Sequence, residues 1–121
     1  MWFRPNKNYS HFTLQIAHAK AGACAARKAQ ALPGKEAEAI KFGTEIAKMV
    51  SDIVGVEVMF GQQVGGPIGQ VGWRATYADM AAFEKAMGKI LANESYRQHI
   101  AKHVPAIFMP GSGRDELWRT L

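Results

Sequence analysis

Histidine and arginine are the residues best suited to moving a proton and holding an anion, and in this chain both types fall on alternating segments. His11 lies in residues 11–18 (HFTLQIAH), where Phe12, Leu14 and Ile16 point one way and His11, Thr13 and Gln15 the other. An imidazole titrating near about pH 6.5 can act there as a base. Arg74 lies in residues 68–77 (IGQVGWRATY), sharing a polar face with Gln70, Gly72 and Thr76, opposite Val71, Trp73 and Ala75. Its fixed fork of donors can hold a carboxylate or enolate oxygen. Glu57 comes from the strand pattern before it, and Trp73 and Tyr77 are large enough to wall a pocket. The competing reading of His11 and Arg74 is a solvated or ion-paired side chain, and that of Trp73 a core residue.

His99 and His103 stand four apart, so on a helix their rings share a face. That spacing suits zinc or another transition metal, provided a further ligand is supplied. No Glu follows His99 as it would in a metalloprotease motif, and two surface histidines are the plainer account. Cys24, set among alanines, reads as a small filler. A reactive thiolate needs an electropositive setting, of which Arg27 and Lys28 give only a hint. The Gly65-Gly66-Pro67 and Gly111-Ser112-Gly113 runs are turns, without the strand–loop–helix context of a phosphate loop.

These residues need elements to position them. Residues 11–18 read as a first strand, and the alanine-rich stretch 19–32 as either a short helix or an extended continuation. After the Pro33-Gly34 turn, residues 35–54 read as a helix with Ala39, Phe42, Ile46, Met49, Val50 and Ile53 inward, closed by Gly55. Residues 56–64 and 68–77 form an antiparallel hairpin around Gly65-Gly66-Pro67. Asp79 caps a helix over 80–91, and a second helical stretch over 95–103 ends at Pro105. Residues 106–109 supply a short fourth strand, leaving 111–121 as a tail whose Leu117 and Trp118 dock against the body. The order is β-α-β-β-α-β. It predicts an α+β, ferredoxin-like fold with a four-stranded antiparallel sheet, helices on one face, and a bare face for a second sheet to cover.

A chain of 121 residues makes one domain, read here as spanning 1–121 with 1–10 and 111–121 as peripheral tails. The charge of +5 is spread among Ala and Glu rather than gathered on one face with aromatics, which argues against nucleic acid and leaves an anionic small ligand as an explanation. No segment has the length of apolar run needed to span a membrane. The N-terminus lacks the continuous apolar core of a secretory signal, and Cys24 has no cysteine to pair with. Both features point to a reducing, cytoplasmic setting.

Residues 71–83, Val71-Gly72-Trp73-Arg74-Ala75-Thr76-Tyr77-Ala78-Asp79-Met80-Ala81-Ala82-Phe83, resemble the strand-to-helix junction of the dimeric α/β-barrel superfamily. Asn93-Glu94-Ser95-Tyr96-Arg97-Gln98-His99 is similar to its later polar break before an aromatic, and Pro33-Gly34-Lys35 to its helix opening. The likeness runs over 33–109 and is nearest to NIPSNAP-like proteins, then to antibiotic-biosynthesis monooxygenases. Residues 19–32 depart from it, being longer and richer in alanine than the usual link. The resemblance implies a homodimer through the sheet face and a cavity lined by the strands' polar faces: His11, Thr13, Gln15, Glu57, Gln70, Arg74 and Thr76. It implies a small-molecule enzyme without cofactor, a monooxygenase, isomerase or cyclase acting on an aromatic or polyketide-like compound. His11 and Arg74 would be catalytic; Thr13, Gln15, Glu57, Gln70, Trp73 and Tyr77 would bind substrate. Fold analogy leaves open a non-catalytic binding or assembly domain, or a haem- or metal-binding member using His99 and His103.

Overall fold

A computed structural model describes residues 22–121. Its elements are β1 (Ala23–Gln30), α1 (Glu36–Val54), β2 (Met59–Gln62), β3 (Gln70–Tyr77), α2 (Met80–Ala92), α3 (Glu94–Ile107) and β4 (Arg114–Arg119). The strands form one four-stranded antiparallel sheet in the order β2-β3-β1-β4. The expected α+β, ferredoxin-like architecture is therefore present, with an additional helix.

Several expected elements sit elsewhere. The strand read over 11–18 lies outside the described residues. The described part of the ambiguous stretch 19–32 supplies β1, at the centre of the sheet. Alanine is a weak strand former, but hydrogen bonding to β3 on one side and β4 on the other overrides propensity. The fourth strand is not residues 106–109. That segment closes α3, and Phe108 makes only an isolated bridge to Ala31. Pro105 lies inside α3 rather than ending it. The helical path continues because Ile107 and Phe108 are buried against the core and the Phe108 amide donates to the Val104 carbonyl at 2.9 Å. The true fourth strand, β4, comes from the stretch read as a tail. Residues 114–119 of the segment read as a tail are thus part of the sheet.

Caps fall where side-chain chemistry places them. Asp79 accepts from the Ala82 amide at 2.7 Å to open α2, and Asn93 accepts from the Tyr96 amide at 2.8 Å to open α3. Gly55 ends α1 at φ 72°, a left-handed conformation that favours glycine.

The register decides what each strand presents to the helices. Ala23, Ala25, Arg27 and Ala29 of β1 are level with Tyr77, Ala75, Trp73 and Val71 of β3, and this face meets the helices. Cys24, Ala26, Lys28 and Gln30 point outward with Thr76, Arg74, Gly72 and Gln70. The main core joins Ala39, Phe42, Ile46 and Val50 of α1 to Val71, Ile90, Ile107 and Phe108. At Gly43 an added Cβ would fall 2.1 Å from the Phe60 ring, so α1 approaches β2 more closely there than a side chain permits. Among the described residues, no helix is long and apolar enough to cross a membrane.

Candidate functional site

Small side chains on the sheet and large ones on the helices leave a space between the two layers. The alanines at 25, 29 and 75 form its floor, and a cavity of about 700 Å³ opens above them. Trp73 and Tyr77 rise from β3, Phe42 comes from α1, Phe83 from α2, Tyr96 from α3, and Phe108 from the end of α3. The Trp73 indole Nε1 donates to the Gly43 carbonyl at 3.0 Å, while its ring packs edge-on against Phe108 at 6.2 Å. Tyr77 meets Phe83 edge-to-face at 5.6 Å. Burial pushes the Tyr77 phenol above its ordinary range, so it keeps its proton at neutral pH.

One side of this apolar chamber is charged. Arg27 of β1 and Asp115 of β4 both line it, and the guanidinium makes a two-point pair through Nε at 2.6 Å and Nη2 at 2.8 Å. The hydrogen bond from Arg27 holds the Asp115 carboxyl below its ordinary value. Asp115, with a smaller contribution from Tyr96, holds the guanidinium charged against the opposing pull of burial. The pair is about half exposed, so screening limits it to about 1 kcal/mol or less. The sign follows from the lowered carboxyl: the contribution is complete above the unfolded carboxylate pKa of about 4 and is lost as pH falls through the lower folded value. We expect Asp115→Asn to lower stability slightly and evenly between pH 5 and 8, with the difference from wild type vanishing once pH falls below the lowered folded value. Urea titrations across that range provide the check.

Trp73 and Tyr77, named from the sequence, line the cavity. Arg74 contributes to the lining, while its partners Ala26 and Met59 put its side chain on the outer face of β3. Gln70 and Thr76 also lie on that outer face, and Glu57 is exposed in the connection before β2. His11, Thr13 and Gln15 lie outside the described residues. The expected lining by the strands' polar faces is therefore replaced: the cavity lies on the helix-facing, apolar side, because the alanines there leave it unfilled.

His99 and His103 pack within the helical layer. His99 stacks on Phe42 at 5.4 Å and 9°, with the His103 ring 4.5 Å away and a Glu45 oxygen 3.7 Å from His99 Nε2. Among the described residues, no group of three or more His, Cys, Asp or Glu side chains is placed to hold a metal ion. Sequence reasoning missed Arg27 and Asp115 as a pair. One sat in an unassigned alanine-rich stretch and the other in a presumed tail.

No protein-family model matches the sequence, and no curated protein matches it. Solved structures do. A NIPSNAP-like domain protein from Burkholderia xenovorans superposes with a TM-score of 0.68 at 13% identity, over 81% of this chain and 84% of that one. A NIPSNAP family protein from Agrobacterium tumefaciens gives 0.66 at 18% identity, over 80% and 90%. The fold is that of the NIPSNAP-like proteins. SnoaB, a cofactor-independent oxygenase from Streptomyces nogalater, has a TM-score of 0.59 at 16% identity over 81% and 91% of the two chains. Identities this low speak for the NIPSNAP-like fold alone.

Proposed function

We propose that this protein binds a small aromatic or polyketide-like molecule between its sheet and helices and acts on it without a cofactor, as an oxygenase, isomerase or cyclase. The observation that carries this reading is the cavity itself: apolar, aromatic-walled, and charged along one side by Arg27 and Asp115. Such a mix of apolar wall and a few convergent polar groups is what a small-molecule site requires. SnoaB, with a similar fold, is a cofactor-independent oxygenase, which supports the choice of reaction class.

Trp73, Tyr77 and Phe42 would hold the rings, and the Tyr77 phenol, protonated at neutral pH, would offer a hydrogen bond to a substrate oxygen. Asp115 keeps acceptor capacity beyond its two bonds to Arg27, since a carboxylate has about four lone-pair sites. His11 as base completes the proposal, whereas the Arg74 side chain, on the outer face of β3, stands away from the chamber. A second copy of the chain would cover the outer face of the sheet, where Met59 and Trp118 are exposed.

Native mass spectrometry on freshly purified protein, followed by oxygen uptake with hydroxylated polycyclic aromatics, tests the reading. A dimer with an organic adduct, turnover without added metal or cofactor, and loss of rate in His11→Ala or Tyr77→Phe with fold intact are expected. Binding without turnover would assign the same cavity to a ligand-binding module. A monomer that binds none of these compounds would remove both the dimer and the site.

A further inference from the structure

On the helix-facing side of the sheet the residues form rows across the strands, and one row differs from its neighbours. Arg27 stands on β1 between Ala25 and Ala29, all three lining the chamber. Across the sheet Arg27 is level with Trp73 of β3 and Asp115 of β4, and Trp73 is level with Phe60 of β2. The row therefore runs from two aromatic rings to a guanidinium and then to a carboxylate. Phe60 and Trp73 pack at 5.3 Å, which closes the aromatic end, while the charged end is about half exposed and open to solvent. Of the two arginines in the lining, Arg27 is the one whose position on its strand faces the helices; Arg74 is on the opposite face.

The pair with Asp115 uses only part of what the guanidinium can donate. Its N–H groups form a rigid planar fork. Asp115 occupies the edge made by Nε and Nη2. That leaves the end edge, made by Nη1 and the second hydrogen of Nη2, which matches the two oxygens of another carboxylate. The two edges point in different directions within one plane, so both carboxylates sit with the cation between them. Tyr96 of α3, also in the lining, stands close enough to the guanidinium to help hold its charge. Because this end is half exposed, a bound carboxylate keeps part of its water and avoids the full penalty of burying a charge. A ring system has the opposite need, and the alanine floor beside Trp73, Phe42 and Phe108 gives it an apolar bed.

We propose that Arg27 selects the ligand of the chamber, which is an aromatic carboxylic acid. Its rings lie on Trp73 and the alanine floor, and its carboxylate meets the end edge of the Arg27 guanidinium. This rests on the reading of the chamber as a small-molecule site, and it narrows the substrate class from aromatic compounds in general to acidic ones. The chain's net charge of +5 favours the approach of such an anion.

The test is isothermal titration of the full chain with anthracene-2-carboxylate and with anthracene-2-carboxamide, which matches the acid in shape without its charge. Wild type should bind the acid about tenfold more tightly than the amide, as a charge-assisted two-point bond at a half-exposed site allows. Arg27→Gln should lose that preference while still binding the amide, because the ring contacts remain. The Arg27–Asp115 pair adds little to stability, so this variant stays folded. Arg27→Gln/Asp115→Asn, which leaves no unpaired carboxylate, should lose the preference in the same way. Lys89→Gln, an equal change of charge at an exposed position of α2, should keep it. Added salt should weaken binding of the acid more than that of the amide. Equal binding of acid and amide by wild type overturns the inference and leaves the chamber as an aromatic site. So does a preference that survives both Arg27 variants or vanishes in Lys89→Gln. Binding of neither compound overturns the inference together with the proposed function.

Discussion

Phe42→Ala should cost about 3 kcal/mol of folding stability, at the lower end of what truncating a buried aromatic removes. Phe42 is 3% exposed and holds together parts of the protein distant in sequence: it stacks on His99, lies 6.0 Å from His103, and meets Phe108 edge-on at 5.7 Å. Its ring also borders the aromatic chamber, so on one side it has fewer packing atoms to lose. That is why the expected cost falls short of the largest values. A domain of this size has about 5–15 kcal/mol in all, so the variant should remain folded but with a markedly lower urea midpoint and an unchanged slope. Phe42→Leu, which keeps most of the volume, should cost about 1 kcal/mol. A Phe42→Ala protein as stable as wild type would mean that α1 and α3 are not held together at this point.

Ala25→Phe should have the opposite profile, with little change in stability and a large change in function. Placing a ring in a filled core costs about 1–3 kcal/mol. Ala25 instead faces the chamber, level with Ala75 and Leu117, and the added ring enters open space. The expected result is stability within about 1 kcal/mol of wild type and affinity for aromatic ligands reduced at least tenfold. Urea denaturation and ligand titration on the same sample separate the two effects. Severe destabilisation would show that the space is not available to a ligand.

The contrast between these two positions also marks what was legible in the sequence. Helix α1 was readable because Ala39, Phe42, Ile46 and Val50 recur at helical spacing, and all four are buried. The start of α2 was readable from Asp79, whose carboxylate forms the expected cap. Strand β1 was not, since alanines on both faces erase the alternation that identifies a strand. Nor was β4: all six of its residues are exposed, and RDELWR has no apolar face to follow. Pro105 suggested a helix end that the burial of Ile107 and Phe108 overrides. Of the site, Trp73 and Tyr77 were nameable as large residues at a strand's end. The chamber was not, because it is made by side chains that are small, and the Arg27–Asp115 pair joins two segments that no local spacing rule connects.

That pairing has a further consequence, which concerns the order of events as the chain folds. Arg27 and Asp115 stand 88 positions apart, on the central strand and its outer neighbour. The β2–β3 hairpin needs only a short loop, whereas β1 and β4 meet only when nearly the whole described chain has been drawn into a ring. The entropy of closing a ring grows with the logarithm of its length, about 0.6 kcal/mol for each doubling, so the distance is affordable but must be met before any rung of that ladder can form. Docking of helices α1, α2 and α3 onto the β1–β3 pair shortens the remaining search. Of the three strand pairings in the sheet, β1 with β4 therefore closes the longest ring, and the wall of the chamber that carries Asp115 bears the largest closure entropy.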